Sequence, residues 1–215
     1  QTLALVGATG SGKSTILSLL CRNYDIQKGE ILLDGINIRK IKLASLRRCF
    51  GQMLQDVFLF TGDISSNIRL RDESITGPQI QEAAKYVNAD AFISKLPRGY
   101  DEKVYERGAT LSAGQRQLLS FARTLAFKPS ILILDEPTAN IDTETEELIQ
   151  DALKKLMKGR TTLVVAHRLS TIQHADKIIV LHKGRIQESG SHQELLAKKG
   201  MYYQLYRLQY QEDPV

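Results

Sequence analysis

The feature that most constrains the fold is a glycine-rich octapeptide between an apolar segment and a helical pattern. Residues Thr2–Val6 suit a buried strand, and the segment Gly7–Ser14 reads GATGSGKS. From about Lys13 to Cys21 the sequence favours a helix. The glycines allow backbone conformations that other residues avoid, so successive N–H groups can turn inward toward an anion. Because the helix N-terminus adds positive potential there, the order strand, turn, helix predicts a phosphate-binding loop.

The octapeptide matches the Walker A pattern of P-loop nucleotide binders in full. We expect Lys13 to reach the β- and γ-phosphates and the hydroxyl of Ser14 to bind Mg²⁺. Kinases, GTPases and recombinases share the pattern, so the motif alone predicts only a nucleotide binder. The expected nucleotide contacts are Gly7, Ala8, Thr9, Gly10, Ser11, Gly12, Lys13, Ser14 and Thr15.

An apolar run that ends in two carboxylates forms the second candidate site. Residues Ile131–Leu134 are typical of a central parallel strand that is buried on both faces. The carboxyl end of such a strand opens at the crevice where α/β sheets bind ligands. We expect Asp135 to hold Mg²⁺ through water, and Glu136 to accept a proton from the attacking water or to orient it.

The order of the elements predicts the fold class. Apolar strands at Ile131–Leu134, Thr161–Ala166 and Lys177–Leu181 alternate with helical patterns such as Thr143–Met157. Gly184 then begins a hairpin return. This alternation indicates an α/β fold with a mostly parallel sheet. Together with the Walker A pattern, it resembles a P-loop NTPase (RecA-like) core.

We predict a single domain over residues 1–215, with a catalytic core at 1–62 and 129–215. A mostly helical subdomain is expected at about 63–128. Within the core, Asp34-Gly35 signals a hairpin, and helices are expected to close the chain at Glu194–Lys198 and Met201–Gln209.

Composition excludes several function classes. Hydrophobic residues make up 42% of the 215, which indicates a globular chain. No stretch approaches the roughly 18 to 20 apolar residues of a membrane span. The net charge of +5 is scattered, without a basic run interleaved with aromatics, so no nucleic-acid partner is expected. Cys21 and Cys49 show no metal-type spacing and are predicted to be reduced thiols.

The segment Leu111–Gln115, LSAGQ, distinguishes this chain among P-loop proteins. Ser112 and Gln115 have the spacing of a capping box for a helix from about Ala113 to Ala126. The segment resembles the LSGGQ signature of ABC ATPases, and it lies about twenty residues before the carboxylate-ending strand, where that family places it. The resemblance implies that the signature residues contact a nucleotide held by a second copy; they are Ser112, Ala113, Gly114 and Gln115.

Three further residues match ABC motifs in the expected order. Gln55, in LQDVFLF, resembles the Q-loop glutamine; Asp142, in ANID, is similar to the D-loop aspartate; and His167, in VAHR, resembles the switch histidine. The resemblance runs from Thr2 to about Arg207. It implies that Gln55 and His167 act in catalysis with Glu136. It also implies that Gln55 shares the metal with Ser14 and Asp135.

Two segments resemble those of ABC exporters. Tyr105–Gly108, just before the signature, resembles a short loop that contacts cytoplasmic extensions of the membrane helices, and Met201–Leu205 is more weakly exporter-like. The resemblance implies ATP hydrolysis, with Mg²⁺, that drives export across a membrane. The implied partners are a second ATPase domain, in a head-to-tail dimer, and a transmembrane domain, which places this chain at the cytoplasmic face.

Two features depart from the family pattern. The aromatic residue that stacks on adenine lies upstream of the P-loop in the family, whereas this chain begins at Gln1. We therefore expect a truncated chain that lacks that residue and the first antiparallel strands. In the signature, Ala113 replaces a glycine, which predicts an asymmetric heterodimer with one altered ATP site. A tolerated substitution in a homodimer is the alternative.

Other ABC classes remain open at this stage. A soluble ABC ATPase acting on DNA or ribosomes would carry long coiled-coil inserts or paired cassettes, and neither is visible. The Glu106–Gly108 segment argues against an importer ATPase. Glu136 and His167 argue against a regulatory cassette that does not hydrolyse ATP. The transported substrate is not predicted.

Overall fold

A computed structural model of the chain describes residues 1–53, 57–135, 143–165 and 172–210. The chain divides into two compact units. The first unit comprises Gln1–Phe50, Ile133–Glu136 and Thr161–Val215, and the second comprises Gly51–Leu132 and Pro137–Arg160.

The main sheet has six strands and is mostly parallel. The strands are β1 Thr2–Val6, β2 Leu32–Leu33, β3 Ile36–Asn37, β4 Phe50–Met53, β5 Gly62–Asp63, β6 Lys103–Val104, β7 Ile131–Asp135, β8 Thr161–Val165, β9 Lys177–His182 and β10 Arg185–Gly190. The order of strands in the main sheet is β10-β9-β1-β8-β7-β4. Strand β1 pairs in parallel with β8 and β9, and β10 pairs antiparallel with β9. The predicted α/β fold with a mostly parallel sheet is confirmed.

The helices that the sequence predicts individually lie in the expected segments, with small shifts at their ends. They are α1 Lys13–Leu20, α2 Leu43–Arg48, α3 Ile64–Arg69, α4 Gly77–Tyr86, α5 Asp90–Ile93, α6 Ala113–Ala126, α7 Thr143–Met157, α8 His192–Lys198 and α9 Met201–Tyr210. Short 3₁₀ helices cover Ile38–Lys40, Gly99–Asp101 and Glu106–Gly108. Helix α8 begins two residues earlier than predicted, because Ser191 caps it and accepts a hydrogen bond from the N–H of Glu194. In the part of the chain that the structure describes, no helix is both long enough and apolar enough to cross a membrane.

The core of the first unit joins β1, β7, β8 and β9 to one face of α1. Leu17 and Cys21 of the α1 segment pack on Leu5 at the centre of the sheet. The buried members of this cluster are Leu5, Leu17, Cys21, Ile133, Leu163, Val165 and Leu181. Packing on this sheet therefore fixes where β1 ends and where α1 begins.

Helix α6 is the centre of the second unit and packs against α3, α4 and α7. The Arg123 guanidinium is mostly buried, and burial lowers the pKa of this group. It donates to the carbonyl of Asn67 at 2.8 Å and to the carbonyl of Phe58 at 3.1 Å. The Asn67 amide in turn holds both the N–H and the carbonyl of Phe60, each at 2.8 Å. This network fixes the segment from Phe58 to Phe60 on α3 and α6, with both phenylalanines exposed and Leu59 buried.

The packing around Gly51 yields a stability prediction. A Cβ on this glycine of β4 would lie 2.6 Å from Pro129 Cγ and 2.6 Å from Thr124 Cγ2. Overpacking a buried site typically costs about 1–3 kcal/mol, so Gly51→Ala should lower the free energy of unfolding in urea by that amount. Gly77→Ala is the control, because a Cβ there meets no atom within 4 Å. Equal stability of Gly51→Ala and wild type would contradict this packing.

Candidate functional site

The start of α1 differs from the starts of four other helices in the chain. Helices α3, α4, α6 and α8 each begin with a capping box, whereas α1 begins after Gly12, which has φ +106° and offers no side chain to cap it. The first turn of α1 also lacks an acidic residue. Its first N–H groups and its positive dipole end are therefore left for an anion from outside the helix.

The loop before α1 is closely folded on itself. A Cβ on Gly7 would meet the carbonyl oxygen of Leu181 and would lie 2.7 Å from Ser11 Oγ. The Ser11 N–H donates to the carbonyl of Ala8 at 3.1 Å. The Ser11 hydroxyl is buried and has no hydrogen-bond partner among the described residues. The loop therefore needs glycine at its first position and keeps one unsatisfied hydroxyl inside it.

Lys13 turns its charge into the loop. Its residue surface is only 8% exposed, and its Nζ donates to the carbonyls of Gly7 at 2.6 Å and Ala8 at 3.1 Å. A buried ammonium group must have such partners, because burying an isolated charge is costly. The positive charge thus lies where a phosphate chain in the loop would meet it.

Other predicted contacts lie at the surface. Ser14 and Thr15 are exposed on the first turn of α1, and Ala8, Thr9 and Gly10 form the exposed tip of the loop.

Two of the three donors expected for Mg²⁺, Ser14 and Asp135, lie in the same unit as the loop. Asp135 is the half-buried last residue of β7, and Ser14 follows Lys13 on α1. A carboxylate and a hydroxyl are oxygen donors of the kind Mg²⁺ prefers, and Mg²⁺ usually takes its remaining ligands from phosphates and water. Among the described residues, no cluster of three or more metal-binding side chains occurs.

Four predicted site residues lie outside the described residues: Gln55, Glu136, Asp142 and His167. Their roles stay predictions.

The signature segment begins α6 as predicted. Ser112 is the N-cap: its Oγ accepts from the N–H of Gln115 at 3.2 Å, and its own N–H donates to Gln115 Oε1 at 3.0 Å. Ser112 and Ala113 are exposed, whereas Gly114 is buried. The positive end of α6 therefore faces outward, with a small side chain at its first position.

The segment before the signature is also well fixed. The N–H of Arg107 donates to the carbonyl of Leu59 at 3.2 Å, and a Cβ on Gly108 would lie 2.7 Å from Leu59 Cδ1. Tyr105 is 56% exposed at the edge of this turn.

Sequence reasoning missed two sets of contacts. The Arg123–Asn67 network was not predicted, and Gly184 was expected only to begin a hairpin, although its N–H donates to the Ser11 carbonyl at 2.9 Å. Neither has a local sequence signal, because each joins residues that are distant in the chain.

Comparison with known proteins assigns the chain to a family. The family described as ABC transporter matches residues 1–139. The chain belongs to the ABC transporter family. It is an ATPase domain of this family, as LSAGQ and the other motifs predict.

Relatives and a solved structure agree with this assignment. A probable multidrug resistance ABC transporter ATP-binding/permease protein of Bacillus subtilis is 57% identical over 209 residues, which are 97% of this chain and 31% of that protein. An ATP-dependent lipid A-core flippase of Syntrophus aciditrophicus is 49% identical over 215 residues, which are 100% of this chain and 36% of that protein. The structure of a bacterial Atm1-family ABC exporter with ATP bound matches with a TM-score of 0.89 and 43% identity, over 97% of this chain and 36% of that one. The chain thus spans about a third of the length of these ABC proteins.

Removing the charge in the loop should remove nucleotide-dependent stabilisation. A ligand at 100 times its Kd stabilises a protein by about 2.7 kcal/mol, so ATP with Mg²⁺ should raise the melting temperature of the wild-type chain. Lys13→Ala should lose most of this increase, because the phosphates lose their buried cation. Lys28→Ala, which changes an exposed lysine of the same unit, should keep it. An unaltered increase in Lys13→Ala would remove Lys13 from the site.

Proposed function

We propose that this chain binds ATP with Mg²⁺ at residues Gly7–Thr15 and hydrolyses it, and that hydrolysis drives export by the membrane protein to which the chain belongs. The observation that best supports the proposal is the loop between β1 and α1. There the ammonium group of Lys13 is buried in the loop, and the start of α1 has neither a side-chain cap nor an acidic residue in its first turn.

The chain's residues would divide the work of hydrolysis. Lys13 and the loop N–H groups bind the phosphates and stabilise charge that develops on them. Ser14, Asp135 and Gln55 hold Mg²⁺, which when bound supplies further positive charge at the phosphate oxygens. Glu136 accepts a proton from the attacking water or orients it, and His167 supports this geometry from the γ-phosphate side.

A second ATPase domain would complete the site. The exposed start of α6, with Ser112 at its N-cap, is suited to bind a phosphate of a nucleotide held by another copy. A γ-phosphate contacted by both copies favours the closed head-to-tail dimer, and its removal ends that preference. Gly114 and Gln115 lie in the first turn of the same helix, and Asp142 would lie near the dimer interface.

Export follows from the relatives and from one surface segment. Proteins at 57% and 49% identity are named as a multidrug resistance transporter and a flippase. The turn at Glu106–Gly108, with Tyr105 exposed beside it, would contact a transmembrane domain. We therefore propose that the chain lies at the cytoplasmic face of the membrane.

We further propose that the dimer is an asymmetric heterodimer. Ala113 is exposed at the first position of α6, so its methyl group lies where a phosphate would approach the helix. This chain would give Glu136 and His167 to one competent site and the altered signature to a weaker one.

Glu136→Gln tests the hydrolytic role in the complete transporter. ATP binding should be kept, because the phosphate loop is unchanged. Turnover should fall by about 10²-fold or more, because the amide cannot accept the proton. Glu147→Gln, an exposed glutamate on α7, should leave turnover unchanged. Normal turnover in Glu136→Gln would exclude Glu136 as the base.

Ala113→Gly tests the altered signature. Removing the methyl group should raise the ATPase rate of the assembled transporter more than about twofold, because a glycine lets the backbone approach the phosphate. The number of ATP molecules hydrolysed per dimer is the second measurement. Purified protein that contains this chain alone and turns over ATP at two equal sites would contradict the heterodimer.

A further inference from the structure

Both ends of the phosphate loop pack against the β9–β10 hairpin. At its start, a Cβ on Gly7 would meet the carbonyl oxygen of Leu181, near the end of β9. At its end, a Cβ on Gly12 would lie 3.6 Å from Gly184 Cα. Between these points the Gly184 N–H donates to the carbonyl of Ser11 at 2.9 Å. The hairpin therefore supports the loop from one side at three successive places.

The hydrogen bond from Gly184 fixes the orientation of one peptide plane in the loop. The N–H of Ile16 donates to the Gly12 carbonyl at 3.1 Å, so the Ser11 carbonyl, one residue earlier, accepts from the hairpin instead. In a trans peptide the carbonyl of one residue and the N–H of the next point in opposite directions. The described residues contain no cis peptide bond. Because the hairpin holds the Ser11 carbonyl, the N–H of Gly12 points away from the hairpin.

We propose that Gly184 is a positioning residue for ATP binding, because its N–H holds the Ser11 carbonyl and thereby directs the Gly12 N–H toward the phosphates. The inference rests on the proposed function, since it concerns the same loop. Donors that are oriented in advance need not reorganise when the ligand arrives, so their loss is expected to weaken binding.

The conformation of the turn explains why glycine is needed there. Lys183 has φ +48° and Gly184 has φ +73°, as in a two-residue turn with positive φ at both positions. A β-branched residue is a genuine outlier at positive φ. A Cβ on Gly184 would meet no atom within 4 Å, so a substitution changes the backbone conformation and does not cause crowding.

Among the described residues, a second turn has the same backbone conformation, and no backbone hydrogen bond joins it to the phosphate loop. Between β2 and β3, Asp34 has φ +49° and Gly35 has φ +78°, and a Cβ on Gly35 also meets no atom within 4 Å. Substitutions at Gly35 and Gly184 therefore impose the same local strain, and only those at Gly184 disturb the phosphate loop.

The test compares Gly184→Val with Gly35→Val in the full chain. ATP with Mg²⁺ is titrated by calorimetry, and unfolding is followed without nucleotide. Both variants should lose similar stability. Loss of one oriented hydrogen bond should weaken ATP affinity about five- to tenfold in Gly184→Val, with Gly35→Val within about twofold of wild type. Gly184→Asn should restore affinity, because asparagine tolerates positive φ and keeps the N–H.

The outcomes separate this inference from the proposed function. If wild type binds ATP and Gly184→Val binds it as tightly as Gly35→Val does, the inference is overturned and the proposed function stands. If wild type does not bind ATP, the proposed function fails and this inference with it. If Gly184→Val does not fold, the comparison is made between Gly184→Ala and Gly35→Ala. We expect Gly184→Ala to bind ATP about threefold more weakly than Gly35→Ala does. Equal ATP affinities of these two variants would contradict the inference.

Discussion

The structure depends on the short turn that connects a buried strand to the start of a helix. Strand β1 is held in parallel between β8 and β9, and α1 packs Leu17 on the same sheet. The turn between them must therefore reverse direction within a few residues, against the end of β9. Only glycine fits at Gly7, because a side chain there would meet the Leu181 carbonyl. The close packing of this turn and the proposed phosphate binding therefore both require glycine at this position.

The electrostatics of the loop follow from this packing. The Lys13 ammonium is buried, and its hydrogen-bond partners in the loop are the carbonyls of Gly7 and Ala8. These neutral carbonyls accept hydrogen bonds from the ammonium group, and a cation held inside the loop attracts anions such as phosphate. Helix α6 presents a second positive end, capped by Ser112 and exposed. This exposed helix start supports the proposal that a second copy shares the nucleotide.

Local rules account for the features that could be predicted from sequence. The strand, loop and helix at Thr2–Leu20 follow from hydrophobic pattern and glycine spacing, and the cap at Ser112 and Gln115 follows from a four-residue rule. The hydrogen bonds from Gly184 to Ser11 and from Arg123 to Asn67 could not be predicted from the sequence. Each joins segments that are distant in the chain, and each acceptor is a backbone carbonyl, which every residue has. The mostly buried Arg123 shows this most clearly, because its partners Asn67 and Phe58 lie 56 and 65 residues away in the chain.

The most direct test is a structure of the chain with ATP and Mg²⁺. We expect Lys13 Nζ to leave the carbonyls of Gly7 and Ala8 and to bind phosphate oxygens. The hydrogen bond from the Gly184 N–H to the Ser11 carbonyl should be retained. A triphosphate bound away from the loop, or Lys13 still bonded to both carbonyls beside a bound ATP, would contradict it.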